Sequence, residues 1–135
     1  MGPIKVFLDA NILFSAALGG ASFALLWELA RAGRLALLTS RYCRLEAERN
    51  LARKRPEALE RFASLLEQVA EVPEAHGGIN NVELPAKDRP VYETALVHKA
   101  DVLLTGDTTH FKHLMERDDL PLRVRTVRAF LLENR

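Results

Sequence analysis

The sequence predicts an α/β domain built in three layers, α/β/α, around a central, mostly parallel sheet of about five strands. Three observations lead there. Short β-branched or leucine-rich runs recur along the chain, each of a length suited to a buried strand. Helical patterns separate them, and strands joined through helices have the long crossovers that parallel pairing requires. The chain has 135 residues and no Pro-, Gly- or Ser-rich linker, so it reads as one domain over 1–135.

The elements follow in order. Residues 4–8 form a first strand that ends at Asp9. Residues 11–18 read as a short helix closed by Gly19 and Gly20. Ser22 is placed to cap a second helix with a core stripe of Leu25, Leu26, Leu29 and Ala30, and Gly33 stops it. Residues 35–39 give a second strand. Ser40 caps a helix running to about Lys54, and Pro56 opens another to about Gln68. Residues 69–72 give a third strand. Residues 73–85 read as a loop, with Gly77-Gly78 and Asn80-Asn81 as turn signals. Asp88 is expected to cap a helix that has Pro90 in its first turn and ends near Lys99. Residues 102–105 form a fourth strand broken by Gly106, and a short helix follows Thr108. Residues 122–125 form a fifth strand, and Thr126 caps a last helix.

Composition excludes several classes. A hydrophobic content of 48% excludes a disordered chain. One cysteine, Cys43, cannot make an internal disulfide, so a disulfide-stapled scaffold is excluded and a reducing cytoplasm is expected. No apolar run reaches the roughly 18 residues of a membrane span. Asp9 comes too soon after the start for a signal peptide. Nineteen Lys+Arg balance eighteen Asp+Glu, so bulk charge does not decide for or against nucleic acid.

In parallel sheets of this kind a site lies beyond the carboxyl ends of the strands, where the strand order switches. That rule sorts the six aspartates. Asp9 follows strand one and Asp107 follows strand four, so both emerge on one edge. Asp101 precedes strand four and falls at the other edge. Asp88 starts a helix, where it is either a cap or a member of the site. Asp118 and Asp119 sit in a surface turn. Like charges gathered at one edge repel, and a divalent cation relieves them; hard oxygen ligands suit Mg²⁺ or Mn²⁺. The helix from Ser40 carries Glu46 and Glu48, which cannot both face inward, and spacing alone leaves the choice open, with Glu46 at the border of the apolar stripe.

These segments resemble a family. Val6-Phe7-Leu8-Asp9-Ala10-Asn11, with the helix after it, looks like the opening motif of PIN-domain nucleases. Leu45-Glu46 followed by Leu51 resembles the family's helix with an inward glutamate, which favours Glu46 over Glu48. Asp101-Val102-Leu103-Leu104-Thr105-Gly106-Asp107 resembles its second signature, a strand leading to Thr-Gly-Asp, and Asp88 resembles its upstream aspartate. The pieces fall in order along the whole chain. They are most similar to the single-domain branch that includes VapC-like toxins.

The resemblance implies a metal-dependent endoribonuclease. Asp9, Glu46, Asp88 and Asp107 would bind one or two Mg²⁺ or Mn²⁺ and catalyse cleavage by activated water, leaving a 5′-phosphate and a 3′-hydroxyl. Asn11 and Thr105 would orient the carboxylates. Arg41, Arg44, Arg49 and Arg53, with Lys54 and Arg55, form a basic rim for RNA. An antitoxin partner and a homodimer through the apolar Leu25 to Leu29 region are implied as well, with no membrane association.

A non-catalytic PIN-fold module that binds RNA or protein is the competing reading, and retention of all four acids argues against it. A receiver-type signalling module would need adjacent acids after strand one and a late phosphate-binding lysine, which this chain lacks. His110 and His113 are three residues apart, but without a third ligand they do not make a zinc site. Cys43 reads as a buried filler, and Trp27 as core or a subunit contact. Gly19-Gly20 lacks the spacing of a phosphate-binding loop.

Overall fold

The computed structural model describes residues 2–77 and 82–134. The chain runs β1 (Ile4–Leu8), α1 (Ala10–Leu18), α2 (Ala21–Arg31), β2 (Leu35–Ser40) and α3 (Arg41–Lys54). A single 3₁₀ turn at Pro56–Ala58 leads into α4 (Leu59–Leu66), then β3 (Val69–Val72) and α5 (Arg89–Val97). The chain closes with β4 (Val102–Leu104), α6 (Lys112–Met115), β5 (Arg123–Arg125) and α7 (Val127–Glu133). Gly78 and the expected Asn80-Asn81 turn lie outside the described residues.

Among the described residues the five strands are all parallel, in the order β3-β2-β1-β4-β5. Strands covered by helices on both faces need no polar alternation. The central strands obey this: Val6, Phe7 and Leu8 of β1 and all three residues of β4 are 0% exposed. Right-handed crossovers put the helices of the β1-to-β3 half on one face and α5, which returns the chain, on the other. On the first face α1 packs on α3 and α4, while α2 packs on β2 and α7. Trp27 ties two of these helices together: it is buried in the core and its Nε1 donates to the Leu65 carbonyl at 2.9 Å.

Strand order reverses between β1 and β4. The chain moves outward from β1 through β2 to β3, then comes back to the other side of β1. Leu8 and Leu104 are register partners at this reversal. The ladder continues one residue beyond the strands, where the Asp9 N–H donates to the Leu104 carbonyl at 3.1 Å and the Thr105 N–H to the Arg125 carbonyl at 3.1 Å. Asp9 and Thr105 are thus set side by side at the carboxyl edge.

Two expected helix starts differ from the sequence reading. Ser22 lies inside α2, whose N-cap position is Gly20 at φ 126° with no side-chain cap bond. Gly19 and Gly20, both at positive φ, let α1 and α2 meet at a 105° bend across two residues, so α2 starts before Ser22 could cap it. Asp88 does stand at the N-cap position of α5, but its carboxylate caps nothing. Its backbone is helical (φ −96°, ψ −21°), and Pro90 offers no N–H to receive. The carboxylate is left for other partners. Ser40 and Thr126 cap as expected, accepting from the N–H of Cys43 at 3.2 Å and of Ala129 at 3.1 Å. Among the described residues no single helix is long and apolar enough to cross a membrane.

At the opposite edge, Asp101 clamps the two central strands. Its N–H donates to the Lys5 carbonyl at 2.8 Å, and its Oδ2 accepts the Lys5 N–H at 2.8 Å. Asp101→Ala removes the second bond only. It should lower stability by about 0.5–1.5 kcal/mol, read from urea unfolding, whereas Asp101→Asn keeps an acceptor and should lose less.

Candidate functional site

The carboxyl edge at the reversal opens into a cleft of about 250 Å³. Asp9, Asn11, Tyr42, Glu46, Asn50, Lys54, Lys87, Asp88 and Asp107 line it. The four acids singled out in the sequence therefore face one space, although they come from the end of β1, from α3, from the start of α5 and from beyond β4.

Asp9 is the deepest, at 7% exposure. Its Oδ1 accepts the Ala10 N–H at 2.7 Å, which caps α1. Its Oδ2 accepts the Thr105 hydroxyl at 2.8 Å and the Asn11 amide at 3.3 Å. The Thr105 hydroxyl is fully used: it donates to Asp9 and accepts from Asn11 Nδ2 at 3.2 Å and from the Asp107 N–H at 3.1 Å. Asn11 closes the circuit by accepting the Gly106 N–H through Oδ1 at 2.7 Å. A Cβ at Gly106 would lie 3.3 Å from that same oxygen, so the close approach favours glycine there. Burial pushes the Asp9 carboxyl above its ordinary range, and the charges of Glu46 and Asp88 push the same way; the bonds from Thr105 and Ala10 oppose them.

Helix α3 presents three rows at four-residue spacing, the natural ridge of an α-helix. Cys43, Ala47 and Leu51 are fully buried. Tyr42, Glu46, Asn50 and Lys54 form the next row and line the cleft. Arg44 and Glu48 form the row on the other side, 3.4 Å apart, where Arg44 also pairs with Glu71 of β3. Glu46 faces the cleft and Glu48 does not. Cys43 is inert packing: burial and the nearby Asp9 push its thiol up to about 12, with Sγ 3.9 Å from Asp9 Oδ1.

The expected basic rim is divided. Arg44 is turned to β3. Arg53 donates to Asn50 Oδ1 at 2.9 Å, beside the cleft, while Arg41 and Arg49 are exposed. Among the described residues, the cations that line the cleft are Lys54 and Lys87, and Lys87 was not singled out by the sequence.

His110 is the residue sequence reasoning passed over. Asp107 Oδ1 accepts the N–H groups of Thr109 at 3.1 Å and His110 at 2.9 Å, a tight turn that folds the imidazole back. His110 Nδ1 then lies 2.9 Å from Asp107 Oδ2 and 3.0 Å from Asp88 Oδ2. These are ion-pair distances, but neither contact is a hydrogen bond, and Asp88 Oδ2 and His110 Nδ1 are buried atoms without a hydrogen-bond partner. His113 faces away and contacts the Glu83 carbonyl at 2.7 Å. The signal available in the sequence was the three-residue step from Asp107 to His110, rather than the step from His110 to His113.

The model of the PIN domain family matches residues 5–109 of the chain. No curated protein matches it significantly. Among solved structures, VapBC2 from Rickettsia felis, bound to a DNA fragment from its promoter, is similar at TM-score 0.65 and 15% identity. That likeness covers 91% of this chain and 98% of that one. A toxin–antitoxin complex from Klebsiella pneumoniae is similar at TM-score 0.62 and 17% identity, covering 90% and 97%. The PIN domain endonuclease Utp24 is similar at TM-score 0.56 and 20% identity, covering 92% and 86%.

Two outcomes follow from the Asp9 circuit. Thr105→Val leaves the Asp107 N–H without this acceptor and Asp9 without its hydroxyl donor. It should cost about 1–3 kcal/mol in unfolding. The raised Asp9 carboxyl also fixes a sign. An acid whose folded pKa lies above its unfolded 3.8 contributes stability below pH 3.8, and that contribution is lost as pH rises through the folded value. In metal-free buffer, Asp9→Asn should remove this part of the decline, seen as a flatter dependence of melting temperature on pH than in wild type.

Proposed function

The chain belongs to the PIN-domain family, and from that premise we propose that it is a metal-dependent endoribonuclease that cleaves RNA phosphodiester bonds with an activated water. One observation carries this reading: four acids from separate elements line a single cleft at the strand-order reversal. The residues fit a divalent cation. Their oxygens are hard ligands, and Asp88 Oδ2 is buried without a hydrogen-bond partner, as suits an atom that would ligate a cation. Mg²⁺ or Mn²⁺ held there supplies a water of lowered pKa and charge to stabilise the phosphate in the transition state.

The chain's own groups do the rest. Thr105 and Asn11 hold the Asp9 carboxylate in one orientation, as hydrogen-bonded partners do for metal-binding carboxylates. Glu46, Asp88 and Asp107 complete the acidic set. Lys54 and Lys87 at the cleft attract the RNA backbone, with Arg41, Arg49 and Arg53 extending the basic surface along α3. Arg44 is engaged by Glu48 and Glu71, so its contribution to RNA is smaller.

The toxin role is part of the proposal. Two of the similar structures are toxin–antitoxin assemblies, which supports an antitoxin as partner. Leu25 on α2 is 44% exposed and offers an apolar contact for a homodimer. The setting in this reading is the cytoplasm, where the RNA substrate resides.

The test is cleavage of single-stranded RNA in Mn²⁺ by purified protein. Asp9→Asn, Glu46→Gln, Asp88→Asn and Asp107→Asn should each lower the rate at least about tenfold, a barrier change of about 1.4 kcal/mol. Glu48→Gln, on the other row of α3, should change it little. A wild-type protein that binds RNA but cuts none in Mn²⁺ or Mg²⁺ would favour the non-catalytic module instead. Replacing Lys54 and Lys87 together with Ala should weaken RNA binding and reduce its salt slope by roughly two ion contacts.

A cation bound by the native state alone stabilises it by mass action. Millimolar Mn²⁺ should raise the melting temperature of the wild type, and Asp9→Asn should blunt the rise.

A further inference from the structure

We infer that His110 Nδ1 is a nitrogen ligand to the cation held by Asp88 and Asp107, and that it gives the site a preference for Mn²⁺ over Mg²⁺. The inference rests on the metal-dependent reading above and adds a ligand and a selectivity to it.

Nδ1 of His110, Oδ2 of Asp88 and an oxygen of Asp107 lie within 4.8 Å of one another. Two of the three separations are 3.0 Å and 2.9 Å. Both carboxylates lie at ion-pair distance from this one nitrogen, yet neither contact is a hydrogen bond, and both Nδ1 and Asp88 Oδ2 are buried with no hydrogen-bond partner. Buried polar atoms left in this way point to a group that satisfies them together. Ligands about 2.1 Å from a cation, at neighbouring corners of an octahedron, stand about 3 Å apart. The observed spacings match that arrangement.

The ring is held in place by the backbone. Asp107 Oδ1 is occupied by the Thr109 and His110 N–H groups, which leaves Oδ2 facing Nδ1. The chemistry of the set then selects the ion. Mg²⁺ takes oxygen ligands and sheds water reluctantly, while imidazole favours transition-metal ions. Mn²⁺ shares the carboxylate and water ligands of Mg²⁺, but it is a first-row transition-metal ion and so, of the two, is the better match to a set that mixes oxygen with one imidazole nitrogen.

The experiment uses the full-length protein, metal-free, loaded with MnCl₂ alone. Pulsed electron paramagnetic resonance of Mn²⁺-loaded wild type should show coupling to an imidazole ¹⁴N. His110→Gln should abolish it, weaken Mn²⁺ binding by about tenfold or more, and change Mg²⁺ binding, measured by competition, by less than about threefold. Bound Mn²⁺ without nitrogen coupling in wild type overturns the inference and leaves His110 as a neighbour of the carboxylates only; so does an equal loss for both ions. The spectrum of wild type decides the matter even if His110→Gln fails to fold. A wild type that binds neither ion at millimolar concentration overturns the metal-dependent reading as well, and the two failures are told apart by whether Mn²⁺ binds at all.

Discussion

The Asp9 carboxylate sits one residue past the central strand, buried to 7% exposure, at the place where the sheet reverses its strand order. An ionised group in that position must be compensated. The structure answers with an unbroken circuit: Ala10 N–H and the Thr105 hydroxyl donate to Asp9, Asn11 bridges Asp9 and Thr105, and Asn11 in turn receives the Gly106 N–H. The same circuit caps α1, holds the β1 and β4 ends together and sets the path of the turn that carries Asp107. The start of α1, the glycine at 106 and the threonine at 105 all follow from accommodating one buried carboxylate.

Electrostatics around this group is only partly balanced within the chain. Glu46 and Asp88 raise the Asp9 pKa, on top of the larger effect of burial. Lys54 and Lys87 line the same cleft, but neither is among the groups that shift the Asp9 carboxyl. Asp88 retains an oxygen with no hydrogen-bond partner, beside a histidine nitrogen in the same condition. Acidic groups gathered in this way cost stability in the fold itself, a local conflict of the kind that proteins keep at functional sites.

Helix α3 shows how one element serves three surfaces. Cys43, Ala47 and Leu51 anchor it in the core, and that anchoring rotates Tyr42, Glu46, Asn50 and Lys54 to the cleft and Arg44 with Glu48 to β3. The small residues at 43 and 47 let the helix approach the sheet closely enough for Cys43 Sγ to come within 3.9 Å of Asp9. An α-helix presents its rows about 100° apart per residue, so the burial of Cys43 and Ala47 is what separates the roles of Glu46 and Glu48.

Periodicity and punctuation in the sequence determined the layer architecture, the parallel sheet, the caps at Ser40 and Thr126 and the carboxyl-edge location of Asp9 and Asp107. These are local properties: strand and helix periods, capping groups, and the rule that crossovers make parallel pairs. Family resemblance carried Glu46 and Asp88 further than spacing did. The tertiary structure decided what depends on orientation. Asp88 was legible as a helix start, but its release from capping depends on a helical backbone angle at 88 together with the missing N–H of Pro90. Arg44 was legible as basic, but its partner Glu71 is 27 residues away on β3. Lys87 carried no motif, and His110 was read against His113, its sequence neighbour, although its ring meets Asp88 across the fold. Which side chains share a cleft is set by how elements pack, and a linear pattern records only the period within each element.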